Sequence, residues 1–234
     1  MSEMLDWPRS NVDAVIVDLD GTMVDTLGDF VQALQRMVAD LPLPYRDFVV
    51  EQALVERLVG KGSENLIKGL LAHIDQGVAA TDNVALFEQA WASYQHHYRA
   101  VNGRYSEVYP GVRDALAGWQ QAGLPLVCVT NKPAAFARDL LQEKELASFF
   151  PLVIGGDTVA RKKPDPMPLL HACERLGTVP GRTLMVGDSS NDAQAARAAG
   201  CPVLLVSYGY NHGEPVDQVD ADAVVDRLTQ LRWI

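Results

Sequence analysis

The sequence predicts an α/β fold, a doubly wound parallel sheet with a small helical domain inserted into it. The first observation is a series of short apolar runs rich in Val, Ile and Leu, with helical patterns between the later runs. Continuous apolar strands that alternate with helices are typical of a parallel sheet covered on both faces. The second observation is a gap of about 100 residues between the first run and the second, far more than one crossover helix requires. We therefore expect an insertion after the first strand.

The predicted strands follow the apolar runs in order. The first run, at 13–19, ends in Asp-Gly-Thr, and a Val/Ile-rich run that meets such a turn signal is typical of a buried strand. Further strands are expected at 124–130, 152–155, 183–186 and 203–207. Apolar residues at helical spacing predict helices at 112–122, 134–143, 168–176 and 193–199.

The insertion is predicted to consist of four helices. Its apolar residues support helical segments at 27–41, 49–59, 63–74 and 86–98. Breaks in the pattern occur at Pro42, Pro44 and Gly60-Lys61-Gly62, and Asn102-Gly103 marks the return to the sheet. We therefore expect a core made of residues 1–22 and 108–234, and a helical domain at 23–107.

The composition excludes several classes of protein. The formal net charge is −10, whereas a protein that binds nucleic acid non-specifically needs a basic face. Three cysteines, Cys128, Cys173 and Cys201, have no paired spacing, which favours a reducing compartment and buried thiols. No stretch approaches the roughly 18 apolar residues of a membrane span, and the first residues lack a signal-peptide pattern. We expect a cytoplasmic protein, either a monomer or a homodimer, with no nucleic-acid or membrane partner.

Polar and charged residues follow the predicted strands at the edge where open α/β sheets bind ligands. Asp18 and Asp20 follow the first strand, and an EF-hand loop is excluded because Thr22 and Asp29 are wrong for its ligand positions. The residues near later strand ends are Thr130, Asn131, Lys132, Lys163, Asp188 and Asp192. Alone, each has a simpler interpretation: Thr130 or Asn131 as a helix cap near Pro133, Lys163 as a solvated charge, Asp188 and Asp192 as helix-terminal acids.

Together these residues predict a magnesium and phosphate site. Carboxylates that converge in one pocket are stable mainly when a cation lies among them, and Mg²⁺ prefers carboxylate and carbonyl oxygens. No Cys/His cluster competes for a softer metal, because His96 and His97 are adjacent on a predicted helix and point in different directions. Thr and Asn donors together with Lys163 suit phosphate oxygens. The combination indicates phosphoryl transfer.

Four motifs in this order resemble those of the haloacid dehalogenase superfamily: DLDGT, VTNK, the lysine of KKPDP, and VGDSSND. The resemblance covers nearly the whole chain and implies a Rossmann-like core, with the helical insertion as a small cap domain of type C1. The finer similarity is to bacterial phosphoglycolate phosphatases, through LPLVCVTNKP, VIGGD, KKPDPMPLL and YGYNHGEP.

The resemblance also implies a role for each matching residue. Asp18 would be the nucleophile that becomes an aspartyl-phosphate, and Asp20 would be the acid/base. Mg²⁺ would be held by the Asp18 side chain, the Asp20 backbone carbonyl and Asp188, with Asp192 supporting the site. The phosphoryl oxygens would be held by Thr130, Asn131, Lys163 and backbone amides around Gly21.

The substrate is less constrained than the reaction. We expect a small phosphate monoester, with 2-phosphoglycolate as the first candidate; a sugar-phosphate phosphatase or a β-phosphoglucomutase-like phosphomutase is the alternative. Lys61, flanked by Gly60 and Gly62, is either a contact for the substrate carboxylate or part of a flexible turn. A phospho-Asp receiver domain is the candidate from a different class, and it is disfavoured because it needs neither a long helical insertion nor a second Asp.

Overall fold

The computed structural model describes residues 4–75 and 83–234, and a six-stranded parallel sheet lies at its centre. The strands are β1 Leu5–Trp7, β2 Ala14–Val17, β3 Val24–Asp25, β4 Glu107–Val108, β5 Leu126–Val129, β6 Leu152–Ile154, β7 Thr183–Gly187, β8 Val203–Val206, β9 Ala223–Val225 and β10 Leu231–Trp233. The helices are α1 Leu27–Ala39, α2 Gln52–Leu58, α3 Ser63–Ile74, α4 Val84–Val101, α5 Val112–Gln121, α6 Ala134–Glu143, α7 Met167–Leu176 and α8 Ser190–Ala199. The predicted α/β class is confirmed.

The strand order of the central sheet is β6-β5-β2-β7-β8-β9. The chain runs outward from β2 to β5 and β6 on one side, then crosses to β7 and continues to β8 and β9 on the other. The order therefore reverses between β2 and β7, and ligands of open α/β sheets bind at the carboxyl ends of strands beside such a reversal. This topology places the end of β2 at the centre of the binding edge.

The residues of β2 are buried on both faces of the sheet. Val15 and Val17 pack into one hydrophobic cluster with α5 and α6, while Ile16 packs into another with α7 and α8. Successive side chains of a strand point to opposite faces, so a strand covered on both faces consists of apolar residues throughout. This packing fixes the position of the residues that follow Val17.

Helices α1 to α4 form the cap, and their hydrophobic cluster also includes Phe136 and Tyr210 of the core. Tyr94 and Tyr98 of α4 are fully buried in it, and their rings stack 5.3 Å apart, so these tyrosines serve the core. The antiparallel pair β3 and β4 connects the cap to the sheet, with Val24 opposite Val108. The four predicted helices of the insertion are confirmed, and the boundaries at residues 22 and 107 stay a prediction.

Some elements differ from the sequence-based expectation. The sixth strand, β9, and the parallel pair β1 and β10 were not predicted, and α8 begins at Ser190 rather than at Ala193. The three cysteines are free and buried, as expected. Among the described residues, no helix combines the length and the apolar character needed to cross a membrane.

Candidate active site

Three neighbouring strands deliver the predicted site residues to one cavity. Asp18 and Asp20 follow β2, Thr130 and Asn131 follow β5, and Asp188 follows β7. All five line a cavity of about 40 Å³, which the cap covers with side chains and backbone from α1 and the loop before α3. A space of about 10–15 Å³ on this measure holds one water, so the cavity has room for only a few small groups.

Lys163 lies between two carboxylates behind this cavity. Its ammonium is 2.9 Å from Asp18 Oδ1 and 2.7 Å from Asp192 Oδ1, and it donates a third contact to the Val129 carbonyl at 2.9 Å. Lys163 is only 3% exposed. Burial alone would lower its pKa, but the two carboxylates outweigh this effect and raise the pKa, so the ammonium is charged at neutral pH. Lys163 is therefore a fixed positive charge beside Asp18.

Asp192 is fully occupied by hydrogen bonds from protein donors. Its Oδ2 accepts from the backbone amides of Asp188 and Ser189 and from the Ser189 hydroxyl at 2.8 Å, while Oδ1 faces Lys163. Ser189 and Asp192 together form the capping box of α8. The helix-terminal interpretation of Asp192 is thus confirmed, and the same side chain also holds Lys163 in place.

Asp188 is buried against two glycines that leave room for it. A Cβ on Gly21 would lie 2.5 Å from Asp188 Oδ2, and a Cβ on Gly209 would lie 2.1 Å from the Asp188 Cβ. Gly21 also has a φ of +83°, which L-residues rarely adopt. Its amide donates to the Val24 carbonyl at 2.9 Å. In this structure, Gly21 therefore contributes chiefly by lacking a side chain.

The remaining contacts of Asp188 are two hydrogen bonds. Thr22 Oγ1 donates to Oδ1 at 3.1 Å, and the Tyr210 amide donates to Oδ2 at 2.8 Å. Burial, together with the nearby charges of Asp192 and Asp18, raises the pKa of Asp188 well above its ordinary value. Burial likewise raises the pKa of Asp18 to about 7, although Lys163 opposes the shift. The protein's own groups therefore leave these two carboxylates short of positive charge.

This deficit and the donor set fit a hard divalent cation. Oxygens of Asp18, Asp188 and Asp192 lie within 4.8 Å of one another, and this is the cluster with metal-binding composition found among the described residues. Asp192 is saturated by its other partners, whereas Asp18 Oδ1 is buried without a well-directed hydrogen bond. Asp18 and Asp188 therefore have the capacity to bind an ion, and a set of oxygens alone suits Mg²⁺.

Asp20 has a different environment from Asp18. Its Oδ1 accepts a hydrogen bond from Thr26 Oγ1 and an ion-pair contact from Lys132 Nζ, both at 2.7 Å. Thr26 precedes α1, the first helix of the cap, and its amide donates to the Tyr210 hydroxyl. Asp20 is thus held by groups from the core and from the start of the cap.

Thr130 and Asn131 do not cap the following helix. Pro133 precedes α6, and Asp157 supplies the capping oxygen by accepting from the Ala134 amide at 2.7 Å. Thr130 Oγ1 accepts from the Lys132 amide, and Asn131 Nδ2 donates to the Lys163 carbonyl at 2.8 Å. The two side chains are buried at the cavity and are free of any capping role.

The loop before α3 brings backbone atoms of the cap to the cavity. Gly60 and Gly62 line it, while Lys61 between them is exposed and is not part of the lining. The Gly60 carbonyl accepts hydrogen bonds from Asn131 at 2.9 Å and from Asn191 at 3.2 Å. The cap is therefore in direct hydrogen-bond contact with the core at the site.

Lys132 lines the cavity and was named from the sequence as a strand-end residue without a role. The sequence-based prediction assigned no site role to five further lining residues: Phe30, Ser189, Tyr210, Asn211 and His212. Tyr210, Asn211 and His212 follow β8, so the strand-end rule that located Asp18 and Asp188 would also have found them. The position of Phe30 depends on how the cap closes, and no local sequence pattern reports that.

Comparison with known proteins agrees with this geometry. A model of the haloacid dehalogenase-like hydrolases matches residues 12–200. The chain belongs to this family. The hydrolase is 42% identical over 219 residues to a phosphoglycolate phosphatase from Thiobacillus denitrificans, with 94% of this chain and 93% of the relative covered. It is 43% identical over 222 residues to another from Nitrosospira multiformis, covering 93% and 92% of the two chains.

A solved structure described as a predicted phosphoglycolate phosphatase from Haemophilus somnus superimposes on this hydrolase with a TM-score of 0.87. The two chains are 28% identical, and 93% of this chain and 95% of the other are covered. The family match decides against the receiver-domain alternative, because the matched family is one of hydrolases.

Proposed function

We propose that this hydrolase is a Mg²⁺-dependent phosphatase that converts 2-phosphoglycolate to glycolate and phosphate. The observation that carries the proposal is the pair Asp18 and Asp20, which reach one small cavity in two different electrostatic environments. Two carboxylates with separate partners are suited to separate roles in one reaction. The names of relatives more than 40% identical over almost the whole chain support this substrate.

In the first half of the reaction, Asp18 is the nucleophile. One of its carboxylate oxygens attacks phosphorus while the bond from phosphorus to the ester oxygen breaks, which yields an aspartyl-phosphate. Asp20 gives a proton to the departing glycolate oxygen. Lys163, charged and buried beside Asp18, offsets the negative charge that gathers around phosphorus.

In the second half, Asp20 takes a proton from water, and the resulting hydroxide attacks the phosphorus of the aspartyl-phosphate. The bond between phosphorus and the Asp18 oxygen breaks, so phosphate leaves and the free carboxylate returns. Asp20 is positioned for this proton transfer because Thr26 and Lys132 hold its carboxylate at the cavity wall. Asp18 thus ends the cycle as a carboxylate and Asp20 as a protonated acid, which are the states in which they began.

Mg²⁺ held by the Asp18 side chain, the Asp20 backbone carbonyl and Asp188 would offset charge on the phosphoryl oxygens. Asp192 would support the site through Lys163 and the amides before α8. Thr130, Asn131, Lys163 and the backbone near Gly21 would hold the phosphoryl group. The contact between Lys61 and the substrate carboxylate stays a prediction, because Lys61 is exposed and does not line the cavity.

We further propose that the protein works in the cytoplasm as a monomer or a homodimer. Its three free, buried cysteines support a reducing compartment. The small cavity supports a small leaving group over a hexose phosphate.

The test is phosphate release from 2-phosphoglycolate, hexose phosphates, nucleotides and pyrophosphate, each with and without Mg²⁺. We expect the highest kcat/KM for 2-phosphoglycolate and no turnover after Mg²⁺ is chelated. Asp18→Asn should reduce kcat by at least about 10³-fold while the fold is retained in circular dichroism. A folded and active Asp18→Asn variant would overturn the mechanism, and a preference for another ester would overturn the substrate.

A further inference from the structure

Lys132 is a buried cation at the cavity to which the reaction above assigns only the holding of Asp20. It is 4% exposed, and its ammonium lies 2.7 Å from Asp20 Oδ1. The same nitrogen lies 4.6 Å from the centre of the Phe30 ring and 5.0 Å from that of Tyr98, both on cap helices. Lys132 therefore lies where the core acid/base meets the aromatic wall of the cap.

The ammonium has donor capacity that the protein does not use. It carries three N–H groups, and within residues 4–75 and 83–234 its one hydrogen-bond acceptor is Asp20 Oδ1. Ring faces attract a cation but do not replace a directed acceptor. Burying a lysine is costly without full compensation, so this arrangement is suited to accept a second anion.

We propose that Lys132 is the specificity-determining residue that binds the carboxylate of the leaving group; this inference rests on the proposed function. Asp20 is within contact distance of the ester oxygen that it protonates, and Lys132 touches Asp20. In 2-phosphoglycolate a single methylene joins the ester oxygen to the carboxylate carbon. A cation adjacent to Asp20 is thus within reach of that carboxylate, while Phe30 and Tyr98 close the space beyond it.

The position of Lys61 supports the same assignment. Lys61 is exposed and does not line the cavity, whereas Lys132 lines it and is shielded from water. An ion pair is stronger in a shielded site than on the surface, because water screens surface charges. In the closed arrangement, Lys132 is therefore the cation that discriminates an anionic leaving group from a neutral one.

The test compares 2-phosphoglycolate with ethyl phosphate, in which a methyl group replaces the carboxylate. We would measure kcat and KM for both esters in the wild-type protein and in Lys132→Met. The matched control is Lys68→Met, because Lys68 also makes an ion pair, 2.6 Å from Glu64, and lies 5.0 Å from the Phe87 ring, but its side chain is 43% exposed and lies outside the cavity. Lys68→Met should leave both substrates within twofold of wild type.

We expect Lys132→Met to lower kcat for both esters alike, because Asp20 loses its ion-pair partner. In addition, KM for 2-phosphoglycolate should rise roughly 10- to 100-fold, as for the loss of a charge-assisted hydrogen bond, while KM for ethyl phosphate changes less than threefold. If Lys132 only positions Asp20, kcat falls equally for both esters and neither KM changes. The ratio of the two kcat/KM values then stays at its wild-type level, which overturns the proposal. If Lys132→Met does not fold, Lys132→Arg and Lys132→Gln replace it. The preference for 2-phosphoglycolate over ethyl phosphate should persist in Lys132→Arg and disappear in Lys132→Gln. Equal preference in both variants would also overturn it.

The proposed function has its own readout in the same experiment. If the wild-type protein does not favour 2-phosphoglycolate over ethyl phosphate, the substrate assignment fails and the Lys132 proposal fails with it. If the wild-type protein has that preference and Lys132→Met retains it, only the Lys132 proposal fails.

Discussion

Asn131 Nδ2 lies 2.9 Å from the Gly60 carbonyl oxygen and thereby joins the core to the cap. The same nitrogen donates to the Lys163 carbonyl at 2.8 Å, and Asn191 donates to Gly60 from the other side. The amides that hold the cap closed thus border the residues proposed to hold phosphate. Under the proposed function, Asn131 would serve both the contact with the cap and the binding of phosphate.

Removing Asn131 should therefore open the cap. Asn131→Ala loses the one hydrogen bond that it donates to the cap, worth about 1 kcal/mol, so we expect KM for 2-phosphoglycolate to rise about fivefold or more. Hydrogen exchange at the Gly60 loop should accelerate in the same variant. Asn65→Ala is the control, because Asn65 donates to the Lys61 carbonyl of the same loop without crossing to the core. Unchanged exchange in Asn131→Ala would contradict the link between core and cap.

Gly21→Ala should damage the metal site more than a comparable glycine substitution elsewhere. Gly177 has a φ of +68° at the end of α7 with nothing near its missing Cβ, so Gly177→Ala should cost only about 1 kcal/mol of backbone strain. Gly21→Ala adds the clash with Asp188 Oδ2. We expect the Mg²⁺ concentration for half-maximal activity to rise at least about 10-fold in Gly21→Ala, and equal values in the two variants would refute this role of Gly21.

Mg²⁺ should stabilise the folded protein through Asp18 and Asp188. An ion at about 100 times its Kd contributes about 2.7 kcal/mol, or a rise of roughly 5–10 °C in Tm for a chain of this size. Asp188→Asn should remove most of this rise in scanning calorimetry, whereas Asp139→Asn, at an exposed site on α6, should retain it. A full Mg²⁺ effect in Asp188→Asn would place the ion elsewhere.

His212 should make cap closure sensitive to acid. Its Nδ1 lies 2.8 Å from the Val59 carbonyl of the cap and must donate, while Nε2 accepts from Asn191 at 3.1 Å, so the closed state requires a neutral ring. Burial, and then the charge of Lys61, lower the pKa of His212, although the hydrogen bond to Val59 and the charge of Asp192 oppose the shift. The open state then binds more protons, so closure is complete above about pH 6.5 and weakens as the pH falls below it.

The measurement for His212 is KM for 2-phosphoglycolate between pH 5.5 and 8. His212→Asn is the informative variant, because asparagine tolerates the φ of 58° at this position and does not titrate. We expect the rise in KM below pH 6.5 to be smaller in His212→Asn than in the wild type. The control is His96→Asn, which changes an exposed histidine of α4 and should retain the wild-type dependence of KM on pH. If His212→Asn also retains the wild-type dependence, His212 does not control cap closure.

The sequence predicts the centre of the fold well because burial leaves a continuous pattern there. Every residue of β2 is buried, and the run that contains it was identified as a strand; β9 has one buried residue in three and was missed. The strands β1 and β10 have three residues each, too few for a periodic signal. Short edge strands are set by pairing with distant segments, which sequence periodicity does not report.

The site also contains residues that the sequence predicts and residues that it does not predict. Asp18, Thr130 and Asp188 are predictable because each follows a strand, and the topology then brings strand ends together. The role of Lys132 is not predictable, because it depends on Phe30 and Tyr98 arriving from the cap. A contact between residues this far apart in the chain leaves no periodic signal in either stretch of sequence.

The pairing of β3 with β4 makes the cap an exchangeable module. The chain leaves the core at Val24 and re-enters it at Val108 directly opposite, so a different helical insert joined at these strands would not change the spacing of the core motifs. Lys132 belongs to the core, so it would remain in place beneath a transplanted cap. Swapping the cap, in evolution or in engineering, would therefore change the shapes of leaving group that fit, and the proposed preference for a carboxylate would persist only where the new cap also shields Lys132.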